Sequence, residues 1–275
     1  MATLTEATAG FGFASRVMGK KATMADDSRL PSYDIRPGVT FPDWVAVTSP
    51  QARETLLATL EAIGIENMWR DYTQAEDDVR TTLLRLYVEQ GGVPAIPDLG
   101  SHAGVSASVI RSLLASLEAR DLVILDADRE RIVGAYPWTD RATEHRVSLG
   151  ERTLYALCAV DALGAGEMYG RDVEISSRCR SCGAPVTIAT RGQGRAVGNV
   201  HPPTVVVWSG SRPTDGCAAG SICTIIAFFC DDAHLEAWRR EHDPEAPGFR
   251  LSIDEALQVG RAFFGPSLAG LEVTS

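Results

Sequence analysis

Cys158 and Asp161 stand three residues apart in the stretch LYALCAVDALG, and Cys223 opens the apolar run GSICTII. Read as one apolar helix, residues 154–164 put the thiol and the carboxylate on one face, about a turn apart. The thiol alone asks for little explanation, because a free cysteine behaves as a small hydrophobe. The carboxylate does ask for one, since a buried and unpaired charge is costly. Two thiolates from separate elements, with one carboxylate, would form a pocket for a soft metal centre, because thiolates select soft metals. A carboxylate is a poor ligand for such a metal and is better suited to moving protons. It could take a proton from a thiol, whose ordinary pKa of about 8.5 keeps it mostly protonated, and return that proton to a leaving group.

All six cysteines fall between Cys158 and Cys230. Clustering of that kind, without an export signal, points to reduced thiols and metal or thiol chemistry more than to a disulfide framework. Two further readings compete with the pocket. Cys179 and Cys182, in CRSCG, have the spacing of half a zinc knuckle. Cys217, Cys223 and Cys230 are too spread to supply the other half, and His201 and His234 are expected to lie outside any ligand spacing. The same pair could be a redox dithiol, but no thioredoxin-like strand–motif–helix context precedes it.

The elements that must position these groups follow from pattern. A chain of 275 residues with 45% hydrophobic and 23% charged residues is globular in composition and long enough for a substantial core. Its net charge of −10 argues against broad binding to nucleic acid or anionic membrane. No window approaches the roughly 18 apolar residues of a membrane span, and the N-terminus lacks the layout of a secretory signal. Residues 1–50 are expected to form an irregular, proline-rich arm, with Trp44, Val45 and Val47 docking it onto the body. Helices are predicted in SPQARETLLATLEAIG, capped by Ser49, and in DVRTTLLRLYVEQGG, with Val79, Leu83, Leu86 and Tyr87 on one stripe and Gly91 as its stop. A short helix, a turn and a helix bearing Ile110, Leu113, Leu114 and Leu117 come next, then two strands around DADRER.

That order is winged-helix-like, but the helix over 106–120 offers only Arg111 and Arg120 against Glu118, too little for a reader of the major groove. Beyond residue 142 the pattern predicts two strands around the Cys-rich turn of VEISSRCRSCGAPVTIAT and a buried strand in TVVVWSG. A Gly/Pro/Asp-rich loop over 211–220 leads into SICTIIAFFC, and helices follow in DAHLEAWRREH and SIDEALQVGRAFFG. The fold class expected is α+β. A winged-helix-like helical domain over 51–142 is followed by a mixed α/β catalytic domain with a small sheet over 143–275.

In this order the pieces resemble the alkylmercury (organomercurial) lyase family. LYALCAVDAL is similar to the family's Cys-x-x-Asp after a Leu-Tyr pair, and ISSRCRSCGAPV to its Ser-Ser-x-Cys turn followed by Gly-Ala-Pro-Val. SICTIIAFF matches its second catalytic cysteine, and LEAW and SIDEALQVGRAFF match near the end, so that order and spacing agree over residues 75–265. The resemblance implies a triad of Cys158, Asp161 and Cys223, in which both cysteines bind mercury, as substrate and product, and the aspartate mediates proton transfer. It implies protonolysis of a carbon–mercury bond to a hydrocarbon and Hg(II), no cofactor, and a winged-helix-like domain not used on DNA. It further implies cytoplasmic mercury detoxification, with Hg(II) passed to cellular thiols or mercuric reductase. Burial would raise the pKa of Asp161, and Leu154, Leu157, Val160, Trp208 and Ile222 would accommodate alkyl and aryl groups. Cys182 stands where the family leads one to expect a non-thiol residue, Thr224 where some members carry a second cysteine, and Cys179 matches a cysteine of structural type. The alternatives are a winged-helix thiol-based metal sensor and a non-catalytic mercury-binding relative.

Overall fold

Local capping chemistry sets the helix boundaries. The computed structural model describes residues 30–211, 217–242 and 244–271, and the described residues from Ser32 onward form one compact unit. Helix α1 (Pro50–Ala62) starts on Ser49, whose side chain accepts from the Ala52 N–H, and proline follows at the first helical position. After the short α2 (Ile65–Trp69), Thr73 and Glu76 close a capping box on α3 (Gln74–Gln90), which ends on Gly91 at φ 73°. Helices α4 (Ile96–His102) and α5 (Ala107–Ala119) complete the helical part, with Ile110, Leu114 and Leu117 buried and Leu113 half-buried.

The strands β3 (Ile124–Leu125) and β4 (Ile132–Ala135) flank the DADRER turn. They lie at one end of a sheet that continues through β5 (Trp138–Thr139), β6 (Arg146–Leu149) and β7 (Arg152–Ala156). After helix α6 (Ala159–Met168) come β8 (Glu174–Arg178), β9 (Pro185–Arg191) and β10 (Ala196–His201). Among the described residues this sheet has eight strands in the order β10-β9-β8-β6-β7-β5-β4-β3, with antiparallel neighbours throughout. A smaller three-stranded sheet places β11 (Val206–Gly210) between β12 (Ile226–Phe229) and β13 (Gly248–Ser252). Helix α7 (Asp232–His242) follows β12, and α8 (Ile253–Phe264) follows β13 through a capping box of Ser252 and Glu255.

Helices α6 and α8 meet at two glycines. A Cβ on Gly164 would lie 2.5 Å from the Gly260 carbonyl oxygen, and one on Gly260 would lie 2.8 Å from the Gly164 nitrogen. Only a residue without a side chain fits at that crossing. Among the described residues, no helix is long and apolar enough to cross a membrane.

Three local expectations are corrected. Leu154, Tyr155 and Ala156 belong to strand β7, and the helix begins only at Ala159. Residues 152–155 pair with β6, with Leu154 opposite Val147, Ala156 pairs with Trp138 of β5, and the ladders override the apolar helix pattern. The arm is not wholly irregular, since Tyr33–Arg36 (β1) and Val39–Phe41 (β2) form a hairpin around Gly38 at φ 74°. In the 3-10 turn Trp44–Ala46, Ala46 is buried and Val45 is 88% exposed, so Trp44 and Val47 pack inward without it. The expected arm over residues 1–29, and residues 212–216 of the expected loop, lie outside the described residues.

Candidate active site

The strand-to-helix junction gives Cys158 its role. With φ −149° and ψ 178° it is the extended N-cap of α6, and its Sγ accepts the Asp161 backbone N–H at 3.4 Å. A thiol thus stands where helices ordinarily place Ser, Thr, Asp or Asn, and Asp161 is the third residue of the helix. The two side chains are neighbours through cap geometry rather than through a shared helical face.

Cys223 arrives from the other side of the cavity. It sits in the 3-10 turn Ile222–Ile225, directly before β12, and is buried. The structure brings Cys158, Asp161 and Cys223 together, with one ligand atom of each lying within 4.8 Å of the other two. The segment before Cys223 is clamped by two residues that the sequence did not single out. Asp121 accepts the Ala218 N–H at 2.7 Å and the Tyr136 hydroxyl at 2.8 Å, while the Tyr136 oxygen accepts the Ala219 N–H at 2.8 Å. Asp121 follows α5 at φ 56°, a left-handed position that Asp tolerates better than most residues. That local signal was present in the sequence, but the segment that Asp121 and Tyr136 hold lies 97 and 83 residues further on.

Burial raises all three groups, and for Cys158 and Asp161 it is the largest cause. It pushes the Asp161 carboxyl up from the usual 3.8 to about 7, although contacts with both thiols pull the other way. Burial likewise raises the Cys158 thiol. The Cys223 thiol is held well above its ordinary value, first by its hydrogen bond with Cys158 and then by burial. The site therefore favours neutral thiols, and Asp161 is poised to gain or lose a proton near neutral pH. Asp161 Oδ2 is buried with no hydrogen-bond partner among the described residues. A buried polar atom left without a protein partner is rare enough to suggest that something else meets it.

Above the three groups lies a cavity of about 60 Å³. Since one water needs about 10–15 Å³, it has room for a group of a few heavy atoms. Its walls are largely apolar and include Phe41, Met68, Trp69, Ile222, Ile226 and Phe264. Of the surroundings expected from the sequence, Val160 and Ile222 line it and Leu154, Leu157 and Trp208 do not. Leu154 is committed to the β6–β7 ladder, and the Trp208 ring is covered by the Arg239 guanidinium 4.5 Å from its centroid. The walls that sequence reading missed come from β2, α2 and the 121–136 region, which alternation and helical periodicity mark only as core. Arg80 also lines the cavity, its Nη2 donating to Ser267 Oγ at 2.8 Å and its guanidinium lying 5.5 Å from the Trp69 ring.

The remaining sulfurs are not scattered as expected. Cys179, Cys182, Cys230 and His234 form a second group whose ligand atoms all lie within 4.8 Å of one another. The expectation that Cys230 and His234 lie outside ligand spacing is wrong. They are four residues apart, and the turn from β12 into α7 folds them together beside the CRSCG turn. Cys217 is exposed and belongs to neither group.

The family model for alkylmercury lyase (MerB) matches residues 138–265. The alkylmercury lyase of Staphylococcus epidermidis is 28% identical over 179 residues, which is 65% of this chain and 78% of that protein. The alkylmercury lyase of Bacillus cereus is 28% identical over 167 residues, 60% of this chain and 72% of the relative. The fold is similar to the crystal structure of the mercury-bound form of MerB2, with a TM-score of 0.63 at 24% identity, covering 80% of this chain and all of the other. Over residues 138–265 this chain is similar to the alkylmercury lyase family, and in fold to the mercury-bound form of MerB2.

Proposed function

We propose that the protein is an organomercurial lyase in which Cys158, Asp161 and Cys223 cleave the carbon–mercury bond of a substrate R–Hg–X by protonolysis. The observation that carries this reading is the convergence of two buried thiols and one buried carboxylate on an apolar cavity. Cys158 displaces X from mercury, and its proton leaves with X as HX. As Cys223 becomes the second sulfur ligand, Asp161 takes its thiol proton. Two sulfur donors raise the electron density on mercury and weaken its bond to carbon. Asp161 then delivers the proton to that carbon, R–H leaves, and Hg(II) stays on the two sulfurs. The balance is R–Hg–X plus two thiols giving R–H, HX and a mercury dithiolate, with no change of oxidation state and no cofactor required.

A carboxyl with a pKa of about 7 suits both halves of this proton relay, because neither form is strongly favoured at neutral pH. Release of Hg(II) requires competing sulfur, so cellular thiols or mercuric reductase are the acceptors in this reading, and a cytoplasmic setting goes with it. The helical part over 51–142 acts as a winged-helix-like packing domain, and 143–275 as the catalytic one. Two observations support a packing role over a DNA-reading one. Arg120 on the would-be recognition helix is turned into the protein, 2.7 Å from Glu76, and Arg111 pairs with Glu130 at 3.5 Å. The test is incubation with phenylmercury in excess small thiol. Benzene release by the wild type and its loss in Cys158→Ser is the expected result. Phenylmercury retained intact by folded wild type would leave a mercury-binding relative instead.

A further inference from the structure

The second sulfur group shares no residue with the lyase centre, and its donor set is that of a structural zinc site. The turn between β8 and β9 supplies Cys179 and Cys182, two residues of spacer apart. It is a tight knuckle in which the Cys179 N–H donates to the Ala184 carbonyl at 2.8 Å and Gly183, at φ 72°, returns its N–H to the Cys179 carbonyl at 2.8 Å. Cys230 directly follows β12, and His234 stands in the first turn of α7. Four protein donors, three sulfurs and one imidazole, leave no open position at a tetrahedral ion.

The spacing fits as well. A tetrahedral zinc with Zn–S bonds of about 2.3 Å separates two sulfurs by about 3.8 Å, and Cys182 Sγ lies 3.8 Å from Cys230 Sγ. The surroundings are those of a metal-bound set. The Cys230 N–H donates to Cys179 Sγ at 3.4 Å, a contact that stabilises a thiolate. The Asp231 carboxylate accepts from His234 Nδ1 at 3.1 Å, the outer-shell contact that orients a ligating imidazole. Cys179 and Cys230 are buried while Cys182 is exposed, which gives an ion a way in.

We propose that Cys179, Cys182, Cys230 and His234 bind one Zn²⁺ that pins the β8–β9 turn to the β12–α7 junction. The turn is already tied to the strand that follows Cys223. The Arg180 N–H donates to the Phe228 carbonyl at 2.9 Å, and Arg180 Nη1 donates to the Thr224 carbonyl at 2.9 Å. The zinc therefore braces the segment that presents the second mercury-binding cysteine, from outside the cavity. A borderline-soft ion with no redox chemistry suits a site of this donor set whose task is mechanical.

The test is metal analysis of the full chain purified under reducing conditions without chelator, with Co²⁺ substitution as a spectroscopic check. About one zinc per chain is expected in the wild type and in Cys158→Ser/Cys223→Ser, and its loss in Cys182→Ser/His234→Ala. The Co²⁺ form of the wild type is expected to show thiolate-to-cobalt charge-transfer and tetrahedral bands that the Cys182→Ser/His234→Ala protein lacks. Stripping the zinc is expected to lower Tm. Reduced wild type that holds no zinc and takes up neither Zn²⁺ nor Co²⁺ would overturn the proposal. Zinc lost from the Cys158/Cys223 variant instead, or a Tm unmoved by stripping, would overturn it equally.

Discussion

In the proposed relay Asp161 can carry the proton because it is buried beside two thiols that are themselves held neutral. Its folded pKa of about 7 lies above the unfolded value of about 3.8. The proton is thus held to higher pH in the folded chain, and the stability this confers is fully present below about pH 4 and is lost as pH rises to about 7. At about 1.4 kcal/mol per unit, that loss is on the order of 4 kcal/mol. Asp161→Asn carries no such titration. Denaturant unfolding of both proteins at about pH 4 and about pH 8 is expected to show the variant gaining on the wild type by a few kcal/mol at the higher pH. A pH-independent difference would mean that Asp161 is not buried as described. Glu76 has the opposite sign. Burial opposes its ionisation, but hydrogen bonds from Ser116, Thr73 and Arg120 win and hold its carboxyl at about 2, so its contribution is present above about pH 4.5 and fades as pH falls toward 2.

At the scale of elements, two devices carry the site. One is the Asp121–Tyr136 clamp on the segment that leads to Cys223. Removing the phenol leaves the Ala219 N–H without its acceptor and Asp121 without one donor, a loss of about 1–3 kcal/mol in a buried setting. Tyr136→Phe is expected to slow single-turnover cleavage by roughly tenfold while the protein remains folded. An unchanged rate would show that the clamp does not position Cys223. The other device is the α6–α8 crossing. Gly164→Ala drives a methyl into the Gly260 carbonyl and is expected to destabilise by about 1–3 kcal/mol or more in denaturant unfolding. A fully stable variant would contradict the packing described. The cap at Ser49 and the stop at Gly91 are local and were legible, and so were the strands flanking CRSCG, whereas the Thr73 cap of α3 was not singled out. The start of α6 was not legible, because Leu154 and Ala156 satisfy a helical stripe and a strand alternation alike, and only pairing with β6 and β5 decides between them. Cys230 and His234 were missed because they join a knuckle about 50 residues upstream, and nothing local announces the meeting.

At the scale of the whole molecule, the cavity belongs to both halves of the chain. Cys158, Asp161 and Cys223 lie beyond residue 142, but Met68, Trp69, Arg80 and Tyr136 come from before it. The convergence of these three residues was readable because their types and spacing are specific. The far wall was not, because apolar residues on core-facing stripes look the same whether they meet a neighbour or a ligand. A chain beginning at residue 143 therefore lacks half the wall and is expected to show no benzene release from phenylmercury; turnover by that fragment would contradict a shared cavity. The net charge of −10 and the engaged arginines of α5 predict that duplex DNA is not shifted even at low salt. A salt-sensitive shift would revive a DNA-binding role for the helical part.

The most direct test of the central claim is single-turnover incubation of phenylmercury with wild type and with Asp161→Ala, both keeping Cys158 and Cys223, followed by assay of benzene and of the bound mercury species. The account predicts benzene and bound Hg(II) from the wild type, and intact phenylmercury held on sulfur by the variant with little benzene. Benzene released by Asp161→Ala at the wild-type rate would contradict it, because the proton would then have come from another group.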